Sequence, residues 1–138
     1  MNDVREAVTQ YLAQLAGPSA DDACHSLLEV GRSALPQLVD AFWAAKSPDV
    51  KLRLAQIVAH GRAVEAESFL VELLENPDAE IWKTALDGLV MLGTDDTTAR
   101  RSVLDSLALA SRTADQKKRE WIIEAIEQIP PMNCREPG

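Results

Sequence analysis

Apolar residues recur along the chain with the spacing of an α-helix. In three segments they follow the offsets i, i+4, i+5 and i+8, which lie on one face of a helix and do not alternate as in a strand. The three sets are Val50, Leu54, Ala55 and Val58; Ile81, Ala85, Leu86 and Leu89; and Trp121, Ala125, Ile126 and Ile129. Ala23, Cys24 and Leu27 fill the matching places near the N-terminus. No segment has the pattern of a strand, so the sequence predicts an all-α fold.

Prolines and glycines divide this pattern into helices. Three prolines that precede an acid are spaced by 30 and 29 residues, and three glycines that follow apolar runs are spaced by 30 and 32 residues. They are Pro18, Pro48 and Pro77, and Gly31, Gly61 and Gly93. Proline followed by an acid is typical of a helix start, and glycine commonly ends a helix. The sequence therefore predicts four antiparallel helix pairs: 3–16 with 20–30, 33–46 with 49–60, 64–75 with 78–92, and 96–111 with 114–129.

The segment 78–93 resembles the second helix of a HEAT-like repeat. Asp78, Ala85, Leu89 and Gly93 stand where that repeat has its aspartate, an alanine, a leucine and a closing glycine, and 69–77 resembles the first helix of the repeat. The resemblance is strongest over 34–93, and the period near 30 fits the short HEAT-like variety better than repeats of about 40 to 47 residues. Trp82 departs from the family pattern, because the repeat usually has an arginine at that position.

The resemblance implies a right-handed α-α superhelix, an α-solenoid, whose second helices line an inner concave face. It implies little about activity, because a fold does not determine a function. The length of 138 residues is that of one domain, so we expect a single HEAT-like domain over 1–129. Pro130 and Pro131 cannot continue a helix, so we expect 130–138 to be a loosely ordered tail.

Charge narrows the class of partner. The chain has 22 acidic residues against 14 lysines and arginines, a net charge of -8. Residues 65–96 contain nine acids against Lys83 and carry this excess, because the other residues balance at 13 and 13. Nucleic-acid binders usually present a basic surface, and anionic lipids attract one, so we expect neither nucleic acid nor membrane as a partner. No apolar run reaches the roughly 18 to 20 residues of a membrane span and no secretory signal is evident, so we expect a cytoplasmic location.

The second helices present the candidate binding residues. Helical wheels select the side chains that point away from the predicted core: Asp22, His25 and Glu29; Asp49, Arg53, Gln56 and His60; Glu80, Thr84, Asp87 and Met91; and Glu120, Glu124 and Glu127. Trp82 joins these candidates because it flanks the apolar face of its helix and takes the place of the usual arginine at the edge of the groove. Eight carboxylates against one guanidinium predict an acidic groove that receives a basic protein surface. An ordinary solvated face is the alternative, because acids in a first helical turn, such as Asp49 and Glu80, also complement the helix dipole.

The sequence also singles out the three tryptophans and a cluster of basic residues. Trp121 falls on a core position, whereas Trp43 and Trp82 flank their apolar faces and are either buried at repeat junctions or partly exposed anchors. The basic cluster comprises Arg100, Arg101, Arg112, Lys117, Lys118 and Arg119. We expect it to pair with acids near helix ends, with phosphate binding as the alternative.

No catalytic constellation is evident, so we expect no enzyme activity, metal or cofactor. His25 and His60 each stand alone on a helix, and neither belongs to the His-Glu dipeptides that carry metal in some HEAT-like enzymes. Cys24 and Cys134 lie too far apart in sequence to indicate a zinc site, and Cys24 is expected in the core.

Three functions follow in order of preference. The first is a non-enzymatic module that binds a basic partner protein, similar in size and charge to inhibitor or immunity proteins. The second is a scaffold or assembly subunit that associates with itself through Trp43 or through the ends of the solenoid. The third is a HEAT-like lyase or hydroxylase with a bound metal.

Overall fold

The computed structural model describes residues 3–15, 17–18, 20–30, 34–61 and 63–130. Over these ranges the chain is helical and contains no strand. The elements are α1 (Asp3–Gln14), α2 (Ala20–Val30), α3 (Leu35–Ala44), α4 (Pro48–His60), α5 (Glu67–Leu73), α6 (Ala79–Asp95), α7 (Thr97–Thr113) and α8 (Gln116–Gln128), with a 3-10 turn at Val64–Ala66 before α5. The predicted all-α fold with eight helices is confirmed for these ranges. Gly31, Cys134 and the tail from Pro131 lie outside them.

Side-chain caps explain where four of the helices begin. Pro48 opens α4 directly after Ser47, whose hydroxyl accepts a hydrogen bond from the backbone N–H of Val50 at 3.4 Å. Asp78, Asp96 and Asp115 cap α6, α7 and α8, and each carboxylate accepts from a backbone N–H two or three residues on, at 2.8 to 3.2 Å. These bonds satisfy backbone donors that have no partner within the helix.

The predicted helix stops at glycine are confirmed at Gly61 and wrong at Gly93. Gly61 is the C-cap residue of α4, and its N–H donates to the carbonyl of Ile57 at 3.1 Å. Helix α6 instead continues past Gly93, which is buried where α6 meets α7 and α8. A Cβ at Gly93 would lie 3.2 Å from Ile129 and 3.3 Å from Val103, so the small residue permits close packing there and does not end the helix.

The helices pack in sequential pairs, and the second helices of successive pairs contact one another. Helix α1 packs on α2, α3 on α4, α5 on α6, and α7 on α8. Helices α2, α4, α6 and α8 also contact in that order, while α1 contacts α3 and α5 contacts α7. Phe42 of α3 and Phe69 of α5 add an edge-to-face contact with ring centroids 5.4 Å apart. The even-numbered helices therefore form a row that the odd-numbered helices cover on one side.

The core between the two sets of helices is apolar. No polar or charged side chain is buried in the part of the chain that the structure describes, and Phe42, Leu54, Leu70, Leu89 and Leu107 are among the fully buried ones. Cys24 packs against this core but is only partly buried.

Trp121 departs from its predicted core position. Trp121 is 40% exposed, and the next residue, Ile122, is fully buried and occupies the core position that was predicted for Trp121. Helix α8 belongs to the last pair and packs on α6 and α7, so among the described helices Trp121 has a neighbour on one side only.

Candidate functional site

The exposed side of the even-numbered helices holds the residues that the helical wheels selected. Each even helix buries the side that faces its neighbours and the odd-numbered row, so its exposed side chains line the opposite surface. We call this surface the even-helix face. It includes the exposed residues Asp22, His25, Glu29, Asp49, Gln56, His60, Glu80, Asp87, Lys117, Glu120, Trp121, Glu124 and Glu127 and the half-buried residues Arg53, Lys83, Thr84 and Met91.

Helix α4 presents the four residues that the sequence predicted. Asp49, Gln56 and His60 are exposed and Arg53 is half-buried. The opposite side of α4 packs against other helices. The His60 ring nitrogen Nδ1 lies 2.7 Å from the backbone carbonyl of Gln56, one turn earlier. This contact holds the ring along the helix, and it is the hydrogen bond that the His60 ring makes among the described residues.

Arg53 joins α4 to α2. Its guanidinium donates to Asp21 at 3.3 Å and approaches the sulfur of Cys24 at 4.0 Å. These hydrogen bonds, the one to Cys24 first, raise the pKa of Arg53. The helical wheel of α2 predicts Asp22 and not Asp21 on the exposed face. A wheel describes a single helix, so it does not indicate a pair such as Arg53 with Asp21 that joins two helices.

On helix α6, Glu80 and Asp87 are exposed as predicted, whereas Thr84 and Met91 are half-buried. The Thr84 hydroxyl donates to the carbonyl of Glu80 at 2.7 Å, a contact along the helix. Trp82 is 6% exposed and its ring packs toward α8, so of its two predicted placements the structure has the buried one. Its inclusion among the candidate binding residues is therefore corrected, because a buried ring is not accessible to a partner.

The acids of the even-helix face have no cationic partner in the part of the chain that the structure describes. The eight are Asp22, Glu29, Asp49, Glu80, Asp87, Glu120, Glu124 and Glu127, and all are exposed. None has a lysine, arginine or histidine nitrogen within 4.0 Å among the residues described. Helix-dipole complementarity applies to Asp22, Asp49 and Glu80, which lie in first turns, and leaves the other five without a local structural role.

Three residues of the basic cluster cap helix C-termini. Arg100 donates to the carbonyls of Gly93 and Thr94 at 2.8 and 3.0 Å, and Arg119 donates to those of Ser111 and Ala114 at 2.9 and 3.0 Å. Lys118 donates to the carbonyl of Leu74 at 2.8 Å, at the end of α5. Their expected pairing with acids is therefore replaced by bonds to carbonyls that a helix leaves without partners.

Two tryptophans and two lysines meet where α6 packs on α8. The rings of Trp82 and Trp121 lie edge to face, with centroids 6.2 Å apart and an interplanar angle of 82°. The Lys83 ammonium is 4.6 Å from the Trp121 centroid, and the Lys118 ammonium is 5.3 Å from the Trp82 centroid. Sequence reasoning missed this cluster because it assigned Trp121 to the core and did not select Lys83 for the face.

An open pocket lies beside the first turns of α4. Its volume is about 420 Å³, and it is lined by Leu15, Gly17, Ser47, Asp49, Val50, Leu52, Arg53 and Gln56. The described residues of its lining include one acid and one guanidinium, and none of them forms a nucleophile–base pair. Nowhere in the described ranges do three histidine, cysteine, aspartate or glutamate side chains gather as metal ligands.

Comparison with protein-family models, with curated proteins and with solved structures finds no match to this chain. In the part of the chain that is described, no helix has the length and apolar character needed to cross a bilayer.

Proposed function

We propose that this chain is a short HEAT-like α-solenoid that acts, without catalysis, as a protein-binding module for a basic partner. The partner binds the even-helix face. Support for the solenoid comes from the period near 30 residues and from the order in which the even-numbered helices contact one another. The proposal includes the cytoplasmic location expected from the sequence.

The observation that carries the proposal is the set of eight exposed acids that have no cationic partner among the described residues. Like charges on one surface repel each other and oppose folding, and a cationic partner relieves that repulsion. Complementary charge also steers the encounter and raises the association rate. A small acidic chain of this kind has the general character of an inhibitor or immunity protein that neutralises a basic toxin or nuclease.

Reversing two charges on the even-helix face tests the proposal. In Asp87→Lys combined with Glu124→Lys, we expect association with the partner captured from the source cell to slow by about 10- to 100-fold at low salt. The rate is measured by surface plasmon resonance at ionic strengths of about 0.01 M and about 0.15 M, between which the Debye length falls from about 30 Å to about 8 Å.

A matched variant controls for net charge. Glu72→Lys combined with Asp105→Lys makes the same change in charge at exposed positions of α5 and α7, which lie in the other row. We expect this control to keep most of the wild-type rate. Equal rates for the two double variants, or a wild-type rate that does not respond to salt, would exclude the even-helix face as the binding surface.

A second candidate function, assembly by self-association, is favoured by Trp43. This residue is 50% exposed on α3, where its ring lies against Phe42 at 4.9 Å and Phe69 at 6.0 Å between centroids. Size-exclusion chromatography with light scattering distinguishes the two functions. A mass that rises with concentration favours assembly, whereas a constant monomer mass excludes it.

A further inference from the structure

Trp121 is an exposed aromatic residue held in a fixed orientation on the even-helix face. Its ring packs in a T-shaped arrangement with the ring of Trp82, which is itself buried, and 40% of Trp121 remains exposed. A side chain already restrained by packing loses little rotamer freedom when it binds. Exposed tryptophans of this kind are enriched among the residues that contribute most to protein interfaces.

The Trp121 ring already accepts a cation. The Lys83 ammonium lies 4.6 Å from its centroid, within the roughly 6 Å over which a ring attracts a positive charge. Lys83 is the one cation of the acidic segment 65–96.

Lys83 and Lys118 differ in how firmly they are held. Lys118 is fixed by its hydrogen bond to the carbonyl of Leu74 at 2.8 Å. The Lys83 ammonium has no hydrogen bond or ion pair among the described residues, and its contacts are with the Trp82 and Trp121 rings. It is therefore the cation that an incoming group can displace.

We propose that Trp121 is the anchoring residue of the partner interface and that an arginine side chain of the partner takes the place of Lys83 on its ring. This inference rests on the proposed function. A guanidinium stacks on an aromatic face and also pairs with carboxylates in a bidentate geometry, which an ammonium does not. Glu120 and Glu124 lie beside Trp121 along α8, are exposed and have no cationic partner within the described ranges, so they supply those carboxylates.

The probe for this site is a fluorescein-labelled oligoarginine peptide, compared with an oligolysine peptide of equal length. We expect Trp121→Ala to weaken oligoarginine binding by about fivefold or more in fluorescence anisotropy titrations. Trp43→Ala removes a tryptophan of similar exposure from α3 and should leave the affinity within about twofold. The loss caused by Trp121→Ala should be larger for oligoarginine than for oligolysine, because guanidinium stacks better on the ring.

The proposed displacement of Lys83 from the Trp121 ring is tested by removing the Lys83 charge. Lys83→Met should tighten oligoarginine binding more than Lys117→Met, which removes the same charge from an exposed position of α8. Melting curves verify that each variant is folded, and Trp121→Phe, which keeps an aromatic ring, should retain part of the affinity.

The outcomes separate this inference from the function on which it rests. In one outcome, binding depends on salt and is abolished by Asp87→Lys with Glu124→Lys, but Trp121→Ala and Trp43→Ala weaken it equally. That outcome overturns the anchoring role of Trp121 and leaves the proposed function standing. Equal effects of Lys83→Met and Lys117→Met overturn the displacement of Lys83. Failure of oligoarginine to bind the wild type overturns both the anchoring role and the acidic face as a site for a basic partner.

Discussion

Replacing Leu86 with aspartate is expected to abolish the cooperative unfolding transition. Leu86 is 3% exposed on the side of α6 that faces the core, where every buried side chain in the described ranges is apolar. A carboxylate there loses its hydration and finds no partner, and the apolar contacts of leucine are lost as well. We expect a cost above about 4 kcal/mol, comparable with the whole stability of many domains, which is about 5 to 15 kcal/mol.

The same substitution at an exposed leucine controls for its chemistry. Leu109 is 62% exposed on α7, so Leu109→Asp should melt within a few degrees of the wild type. Both variants are followed by circular dichroism during heating and in urea. Wild-type melting of Leu86→Asp would show that this side of α6 does not face a packed core.

Replacing Gly88 with alanine is expected to destabilise the contact between α4 and α6. A Cβ at Gly88 would lie 2.7 Å from the Cβ and 2.9 Å from the Cα of Ala59, so the two helices would have to separate. Overpacking of this kind costs about 1 to 3 kcal/mol, which exceeds the roughly 1 kcal/mol that alanine gains over glycine within a helix. We expect a lower melting temperature and a lower midpoint in urea.

Gly93, on the same helix, provides the comparison. The atoms nearest to an added Cβ there are terminal carbons of Ile129 and Val103 at 3.2 and 3.3 Å, which can move by rotation of their side chains. Gly93→Ala should therefore be closer to neutral than Gly88→Ala. If Gly88→Ala is the more stable of the two variants, the close approach of α4 and α6 is wrong.

Helix number and helix starts could be predicted because local chemistry determines them. Ser47 with Pro48, and Asp78 after Pro77, form caps whose partners lie within a few residues along the chain. The role of Gly93 could not be predicted in this way, because the residue type alone does not distinguish a glycine that ends a helix from one that permits close packing. Only its contacts with Val103 and Ile129 separate the two roles.

The candidate site was predictable to the extent that it depends on single helices. Asp49, Gln56 and His60 follow from the wheel of α4 and are exposed as predicted. Two contacts join helices that are distant in sequence: Arg53 with Asp21, and Lys83 with Trp121. Periodicity within one helix does not indicate such contacts.

Labelling of carboxylates in the complex tests the even-helix face most directly. The partner is captured from the source cell, the complex is treated with a carbodiimide and an amine, and the modified carboxylates are quantified by mass spectrometry with and without the partner. We expect Asp87, Glu120 and Glu124 to become protected, while Glu72 and Asp105 in the other row keep their reactivity. Protection of Glu72 and Asp105 with unchanged labelling of Asp87 and Glu124 would contradict it.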